Sequence, residues 1–142
     1  MKSLAIFALA VAAASANAGA TLAAGSPPVR LGAVYGLTGD WSPFDVPSAR
    51  GAELFVKHAN ADGGVLGRQL ELVVRDTESN IDKAAEAVGA LIADYPDMPA
   101  IFGLSESDPV IAAAKVAAAD SRIFVTSGAT SPKLPGQVPT WR

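Results

Sequence analysis

The stretch Val29 to Tyr35, VRLGAVY, decides how the rest of the chain is read. It is a near-continuous apolar run with Gly32 inside it, not an alternation of apolar and polar residues. A strand with one wet face alternates, whereas a strand buried on both faces of a parallel sheet reads like this one. The residues beyond Tyr35 supply the partners such a sheet needs. Gly36 to Asp45, GLTGDWSPFD, is a loop by composition. Pro47 to Ala61 places Ala52, Phe55, Val56 and Ala59 at helical spacing and stops at Asp62-Gly63-Gly64, a helix C-terminal signal. Gln69 to Arg75, QLELVVR, reads as a second strand. Ser79 or Asn80 then caps a helix over Lys83 to Asp94, with Ala84, Ala87, Val88, Leu91 and Ile92 on one face. Ala100 to Phe102 reads as a third strand, Asp108-Pro109 as the N-cap and first residue of a third helix reaching about Ala119, and Ile123 to Val125 as a fourth strand. Val138 to Arg142 resembles the start of another strand. Strand and helix alternate throughout, so the expected class is α/β: a doubly wound, Rossmann-like parallel sheet with helices on both faces.

Composition narrows the function. The chain has 142 residues, half of them apolar, which suits one domain with a real core. The net charge of −3 comes without any long basic run, which argues against nucleic acid or an acidic membrane surface as partner. With no cysteine, thiolate metal sites, disulfides and cysteine nucleophiles are excluded. At the N-terminus, Lys2 precedes the apolar run Leu4 to Ala14, and small residues continue up to Ala18. That is the layout of a cleaved secretory signal peptide over residues 1–18, too short for a membrane span, and it predicts a periplasmic or secreted protein. Gly19 to Pro28 reads as a flexible lead-in, and residues 29–142 as the folded unit.

In open parallel sheets, ligands bind at the carboxyl ends of the strands. Three loops lie there: Gly36 to Asp45, Gly103 to Asp108 (GLSESD), and Thr126 to Pro132 (TSGATSP). All are rich in Gly, Ser and Thr, which offer hydroxyls, free N–H groups and room. Ser107 and Asp108 sit at a helix start, where free N–H groups and the helix dipole favour an anion; they either contact a ligand or merely cap the helix. Glu106 and Asp108 would repel an anion unless they point away or one receives a cationic amine. Ser127 and Thr130 could donate to a ligand or satisfy a turn. Trp41 and Phe44 could cover an apolar ligand group or pack beneath their own loop.

No catalytic constellation accompanies these loops. The single histidine, His58, lies mid-helix and reads as a surface or boundary residue. No G-x-S-x-G elbow, G-x-G-x-x-G or Walker A pattern occurs, and Asp76 and Glu78 read as solvated loop acids. No metal-ligand spacing appears, and no cofactor is expected.

Taken in order, VRLGAVYGLTGDW, SARGAELFVKHANADGGVLGRQLELVVRDTESN, AIFGLSESD and RIFVTSGATSPKL resemble the N-terminal lobe of periplasmic solute-binding proteins of the branched-chain amino acid ABC-transporter type. The resemblance runs from Val29 to Arg142. Its most specific elements are Asn60-x-x-Gly63-Gly64-x-x-Gly67-Arg68 and the S-x-A-T-x-P pattern at Ser127 to Pro132. It implies a two-lobed clamshell that closes on an amino acid or similar small solute, with ABC permease subunits in the membrane as partners. It also implies that Ser107 meets the ligand carboxylate, that Gly128 offers a carbonyl and Thr130 a hydroxyl, and that Phe44 lies against the ligand with Trp41 nearby. Two features depart from that pattern. Gly103 to Asp108 is more acidic than the family's Ser/Gly-rich loop, and the second, C-terminal lobe is missing, so the chain reads as one lobe of a longer protein. A ligand sensor of the same fold, reading an amide, urea or amino acid, is the alternative; an enzyme is disfavoured because the strand ends carry hydroxyls without a base.

Overall fold

A computed structural model describes residues 26–137. The proposed signal peptide, most of the lead-in and the strand expected at Val138 to Arg142 lie outside the described residues. Four parallel strands, β1 (Val29–Tyr35), β2 (Leu70–Asp76), β3 (Ala100–Gly103) and β4 (Ile123–Thr126), form one sheet in the order β2-β1-β3-β4. β1 pairs with β2 from Val29↔Leu70 to Tyr35↔Asp76, and with β3 at Gly32↔Ile101 through Val34↔Gly103. The expected α/β class is therefore the one found. Helices α1 (Ser42–Ala61), α2 (Ile81–Asp94) and α3 (Ser107–Ala119) connect the strands, and a short α4 (Leu134–Gln137), not expected from the sequence, comes after β4.

The two faces of the sheet carry separate cores. On one, Val34, Val73, Ile101 and Phe124 meet Ala84, Val88 and Leu91 of α2 and Val110, Ala113, Ala114 and Ala117 of α3. Small alanines on α3 allow the two helices to pack closely side by side. On the other face Ala33, Tyr35 and Ala49 of α1 form a smaller cluster with Leu72, Val74 and Phe102 beside it. Backbone groups of β1 are thus covered above and below, as its unbroken apolar pattern requires.

The starts of α1 and α3 differ from the sequence reading. α1 begins at Ser42, not Pro47, so the first loop ends at Trp41 and Phe44 lies in the helix's first turn. Pro43 sits where N–H groups have no helical partner, and Pro47 forfeits only a single bond to the first turn. The buried stripe of α1 runs through Asp45 and Ala49, and Phe55, expected inward, is 64% exposed. α3 is capped by the extended Glu106, not Asp108, with no side-chain cap bond. Pro109 then falls at the third helical position, where its missing N–H is still harmless. For α2 the cap is as expected: Asn80 Oδ1 accepts the Lys83 N–H at 3.0 Å. His58 is exposed, in keeping with its mid-helix position.

The Asn60 to Arg68 motif also has a structural account. Asn60 donates to the Leu70 carbonyl (2.8 Å) and accepts the Leu70 N–H (2.7 Å), which fixes the end of α1 to the start of β2. Gly64 has φ +78°, and a Cβ there would lie 2.0 Å from the Arg68 carbonyl oxygen, so only glycine closes this turn. Arg68 donates to the carbonyls of Pro27 and Pro28, drawing the chain into β1.

Candidate functional site

The strand order places a topological switch point between β1 and β3: the chain leaves β1 towards β2 and leaves β2 towards β3 on the other side. In open parallel sheets the loops diverge at such a point and leave a crevice at the carboxyl ends of the strands. At its floor the two strands approach closely. The Leu104 N–H donates to the Val34 carbonyl (3.0 Å), and Gly103, at φ +132°, brings its Cα so near that a Cβ would lie 2.0 Å from the same oxygen.

The β1–α1 loop is held in place by side chains at and after the end of β2 as well as by its own turn, in which the Ser42 N–H donates to the Gly39 carbonyl (3.2 Å). Asp76, at the end of β2, accepts the N–H groups of Leu37 (2.9 Å), Thr38 (3.3 Å) and Glu78 (2.8 Å), and the Thr38 hydroxyl (2.8 Å). Partial burial works to raise its pKa, but these four bonds to the charged form outweigh it and hold the carboxyl below its ordinary range. Ser79 completes the clasp: its Oγ accepts the Trp41 N–H (3.0 Å) and donates to the Thr38 carbonyl (2.8 Å). Asp76 thus has a defined structural role, where the sequence suggested a solvated acid. Glu78 faces Lys83 as an exposed ion pair.

Trp41 and Phe44 end this shelf with their rings 5.3 Å apart at 42°. Trp41 is half-buried and Phe44 is 60% exposed, so the pair presents an open aromatic surface beside the crevice. One turn into α1, Asp45 is 1% exposed. Its Oδ2 accepts the Gly36 N–H at 2.7 Å, while Oδ1 is buried with no partner among the described residues. Tyr35, at the end of β1, is pushed up to about 12, first by burial and then by the Asp45 charge. Glu106 stands across the crevice at the start of α3. Burial raises its pKa first; the charges of Asp108, Asp45 and Asp40 add to this, and the facing Trp41 works the other way.

The third loop is stapled onto the second. The Thr126 hydroxyl donates to the Leu104 carbonyl (2.9 Å) and accepts the Ala129 N–H (3.2 Å). Ser127 Oγ also donates to the Leu104 carbonyl (3.2 Å), and Ser107 Oγ accepts the Ser131 N–H (3.3 Å). A Cβ on Gly128 would lie 3.3 Å from the Ser105 side chain. Much of the hydroxyl content of TSGATSP therefore joins two loops. Thr130 is exposed, and its hydroxyl has no partner among the described residues. The structure gathers Ser107, Ser127, Gly128 and Thr130 on two joined loops and Trp41 and Phe44 on the opposing shelf. Asp45, Tyr35 and Ser79 were not singled out as site residues by sequence, because their roles depend on strand neighbours at i+9 or further. Among the described residues no cluster of acids and histidines could hold a metal ion, and no helix is long and apolar enough to cross a membrane. A groove of about 340 Å³ lined by Arg75, Asp76, Glu78, Lys83, Glu86, Ala87 and Ala90 shares no residue with the two opposing loops.

A parallel α/β sheet with its loops gathered over the switch point is the architecture of this chain. The family described as "Periplasmic binding protein" matches residues 28–140, and the chain belongs to it. A curated relative, the chemotactic signal transduction system substrate-binding protein BasB of Halobacterium salinarum, is 33% identical over 109 residues, 75% of this chain and 26% of that protein. The Leu/Ile/Val-binding protein homolog 8 of Brucella abortus is 32% identical over 109 residues, 77% of this chain and 27% of that protein. Among solved structures, the branched-chain amino acid transporter substrate-binding protein LivJ of Streptococcus pneumoniae in complex with isoleucine superimposes with TM-score 0.73 at 27% identity, over 78% of this chain and 32% of that one. An ABC transporter substrate-binding protein of Desulfitobacterium hafniense in complex with Leu gives TM-score 0.65 at 30% identity, over 75% and 30%. The chain thus spans about a quarter to a third of the length of these proteins.

Proposed function

We propose that this lobe belongs to an extracytoplasmic substrate-binding protein of an ABC transporter, which captures a branched-chain or related amino acid and delivers it to membrane permease subunits without bond chemistry. The observation that carries this reading is the assembly of three loops over the switch point of a sheet whose relatives include proteins solved with isoleucine and leucine. The signal-peptide pattern at residues 1–18 and a periplasmic or secreted location fit the same reading. In it, Ser107, Ser127, Gly128 and Thr130 offer polar contacts from one side and Trp41 and Phe44 an aromatic surface from the other. A second lobe supplies the remaining contacts and closes over the solute.

The test is a calorimetric screen of amino acids against the natural full-length protein. A saturable one-to-one complex is expected, weakened by about 1–3 kcal/mol in Thr130→Ala if that hydroxyl bonds a charged ligand group. Absence of binding by any amino acid, amide or amine would sink the reading. The sensing alternative draws only on the name of the chemotactic relative; it predicts that deletion of the gene abolishes a swimming response to the ligand while leaving its uptake intact.

A further inference from the structure

We propose that Ser79 is a positioning residue for ligand binding: it touches no solute itself, and its hydroxyl sets the place of the aromatic pair Trp41 and Phe44. This role rests on the reading proposed above, in which that pair covers the apolar group of a branched-chain amino acid.

Ser79 stands in the turn between β2 and α2, yet its hydroxyl serves neither element. Asn80 caps α2 by accepting the Lys83 N–H (3.0 Å), and the Asn80 N–H closes the turn on the Thr77 carbonyl (2.9 Å). Both partners of Ser79 Oγ lie far back in the chain. It donates to the Thr38 carbonyl (2.8 Å) and accepts the Trp41 N–H (3.0 Å). Asp76 holds the earlier part of the β1–α1 loop, at Leu37 and Thr38. Among the described residues, Ser79 is the side chain that reaches the Trp41 backbone.

Two further features converge on this hydroxyl. Glu78 and Ser79 both adopt left-handed backbone, at φ +50° and +53°, a conformation that costs any residue with a side chain. Glycine at position 79 would remove that cost and lose the hydroxyl. The facing loop is also cleared to admit it. A Cβ on Gly36 would lie 2.8 Å from Ser79 Oγ, and one on Gly39 would lie 2.9 Å from it. Strain on one side and missing side chains on the other favour a single contact between the two loops.

The place of Trp41 decides more than one ring. Trp41 is the N-cap of α1 and has no side-chain cap bond. Its carbonyl accepts the N–H groups of Phe44 and Asp45, both at 3.0 Å. The bond from Ser79 therefore fixes the residue from which the first turn of α1 starts, and with it the Phe44 ring 5.3 Å from that of Trp41. An exposed ring such as Phe44 has few packing partners, so its position follows the backbone beneath it.

The test is calorimetry with leucine on the natural full-length protein and on Ser79→Ala and Ser79→Gly, with urea unfolding of each. Both variants should bind leucine about three- to tenfold more weakly, the scale of one net hydrogen bond. Ser79→Gly relieves the left-handed strain, so it should unfold at a higher urea midpoint than Ser79→Ala while binding leucine no more tightly. With 5-fluorotryptophan incorporated, the fluorine resonance of Trp41, identified by its loss in Trp41→Phe, should move or broaden in both variants. Three results would each overturn the positioning role and leave the branched-chain reading standing. They are leucine affinity within about twofold of wild type in both variants, affinity that recovers with the urea midpoint in Ser79→Gly, and an unmoved Trp41 resonance. No binding of leucine, isoleucine or valine by the wild-type protein would overturn the branched-chain reading, and the role of Ser79 with it.

Discussion

Replacing Asp76 tests how the ligand shelf is built. The side chain accepts four hydrogen bonds, three from the β1–α1 loop and one from its own turn. Bonds to a charged acceptor contribute about 1.5–3 kcal/mol each when buried, but Asp76 is exposed and water replaces part of each on mutation, so about 0.5–1 kcal/mol per bond is the appropriate scale. Asp76→Ala should therefore cost about 3 kcal/mol and lower the thermal midpoint by roughly 10 °C. Asp76→Asn keeps the shape and some acceptor capacity, and should cost about 1–2 kcal/mol at neutral pH. The pH dependence separates charge from shape. The folded pKa is depressed, so the stabilisation is fully present above the unfolded value of about 3.9 and is lost as pH falls through the lower folded value. Urea unfolding of wild type and Asp76→Asn, monitored by far-ultraviolet circular dichroism from neutral pH down to about pH 3, should show the gap between them closing below about pH 4. A gap that stays constant over that range would refute the charge argument. A loss below about 0.5 kcal/mol in Asp76→Ala would refute the clasp itself.

Asn60→Ala removes both bonds to Leu70 and leaves that buried backbone unit unpaired; a loss of about 2–3 kcal/mol in urea unfolding is expected, with Asn60→Asp recovering part of it through the retained acceptor. Gly103→Ala forces a Cβ against the Val34 carbonyl at a φ that only glycine adopts readily, so it should cost at least about 2–4 kcal/mol and perturb binding through the crevice floor. Tyr35 titrates at about 12 in the fold, so an ultraviolet titration of the two tyrosines should show one late proton that Tyr35→Phe removes. Because that folded value lies above the unfolded one of about 10, Tyr35 leaves stability intact below pH 10 and lowers it as pH rises towards 12, and the Phe variant should lose less stability over that range.

Legibility in the sequence depended on range. The helix and strand order could be read because each element's period is local: VRLGAVY is unbroken because both faces are covered, and Asn80 caps α2 through a neighbour three residues on. Gly63-Gly64 marked the end of α1 for the same reason. The misread boundaries lie where local rules permit two answers. Pro47 is as good a helix start as Pro43 until one knows that Asp45 must turn inward to meet Gly36. Asp108 is a better cap by propensity than Glu106, yet the backbone leaves β3 so that Glu106 takes the extended position and no side chain caps.

The chain's residues by themselves determined the α/β class, the three loops at the strand ends and the resemblance to a solute-binding family, because periodicity, turn chemistry and motif spacing act over a few neighbours. Only the tertiary structure decided what those loops contain. Asp76 became a clasp, Thr126 and Ser127 became staples, and Asp45 became a buried, half-partnered acid, because their partners lie 9 to 39 residues away in sequence and are brought together by the parallel crossovers. The same crossovers set Trp41 against Glu106 across the switch point, a pairing that charge and hydrogen-bond accounting can interpret only once β1 and β3 stand side by side.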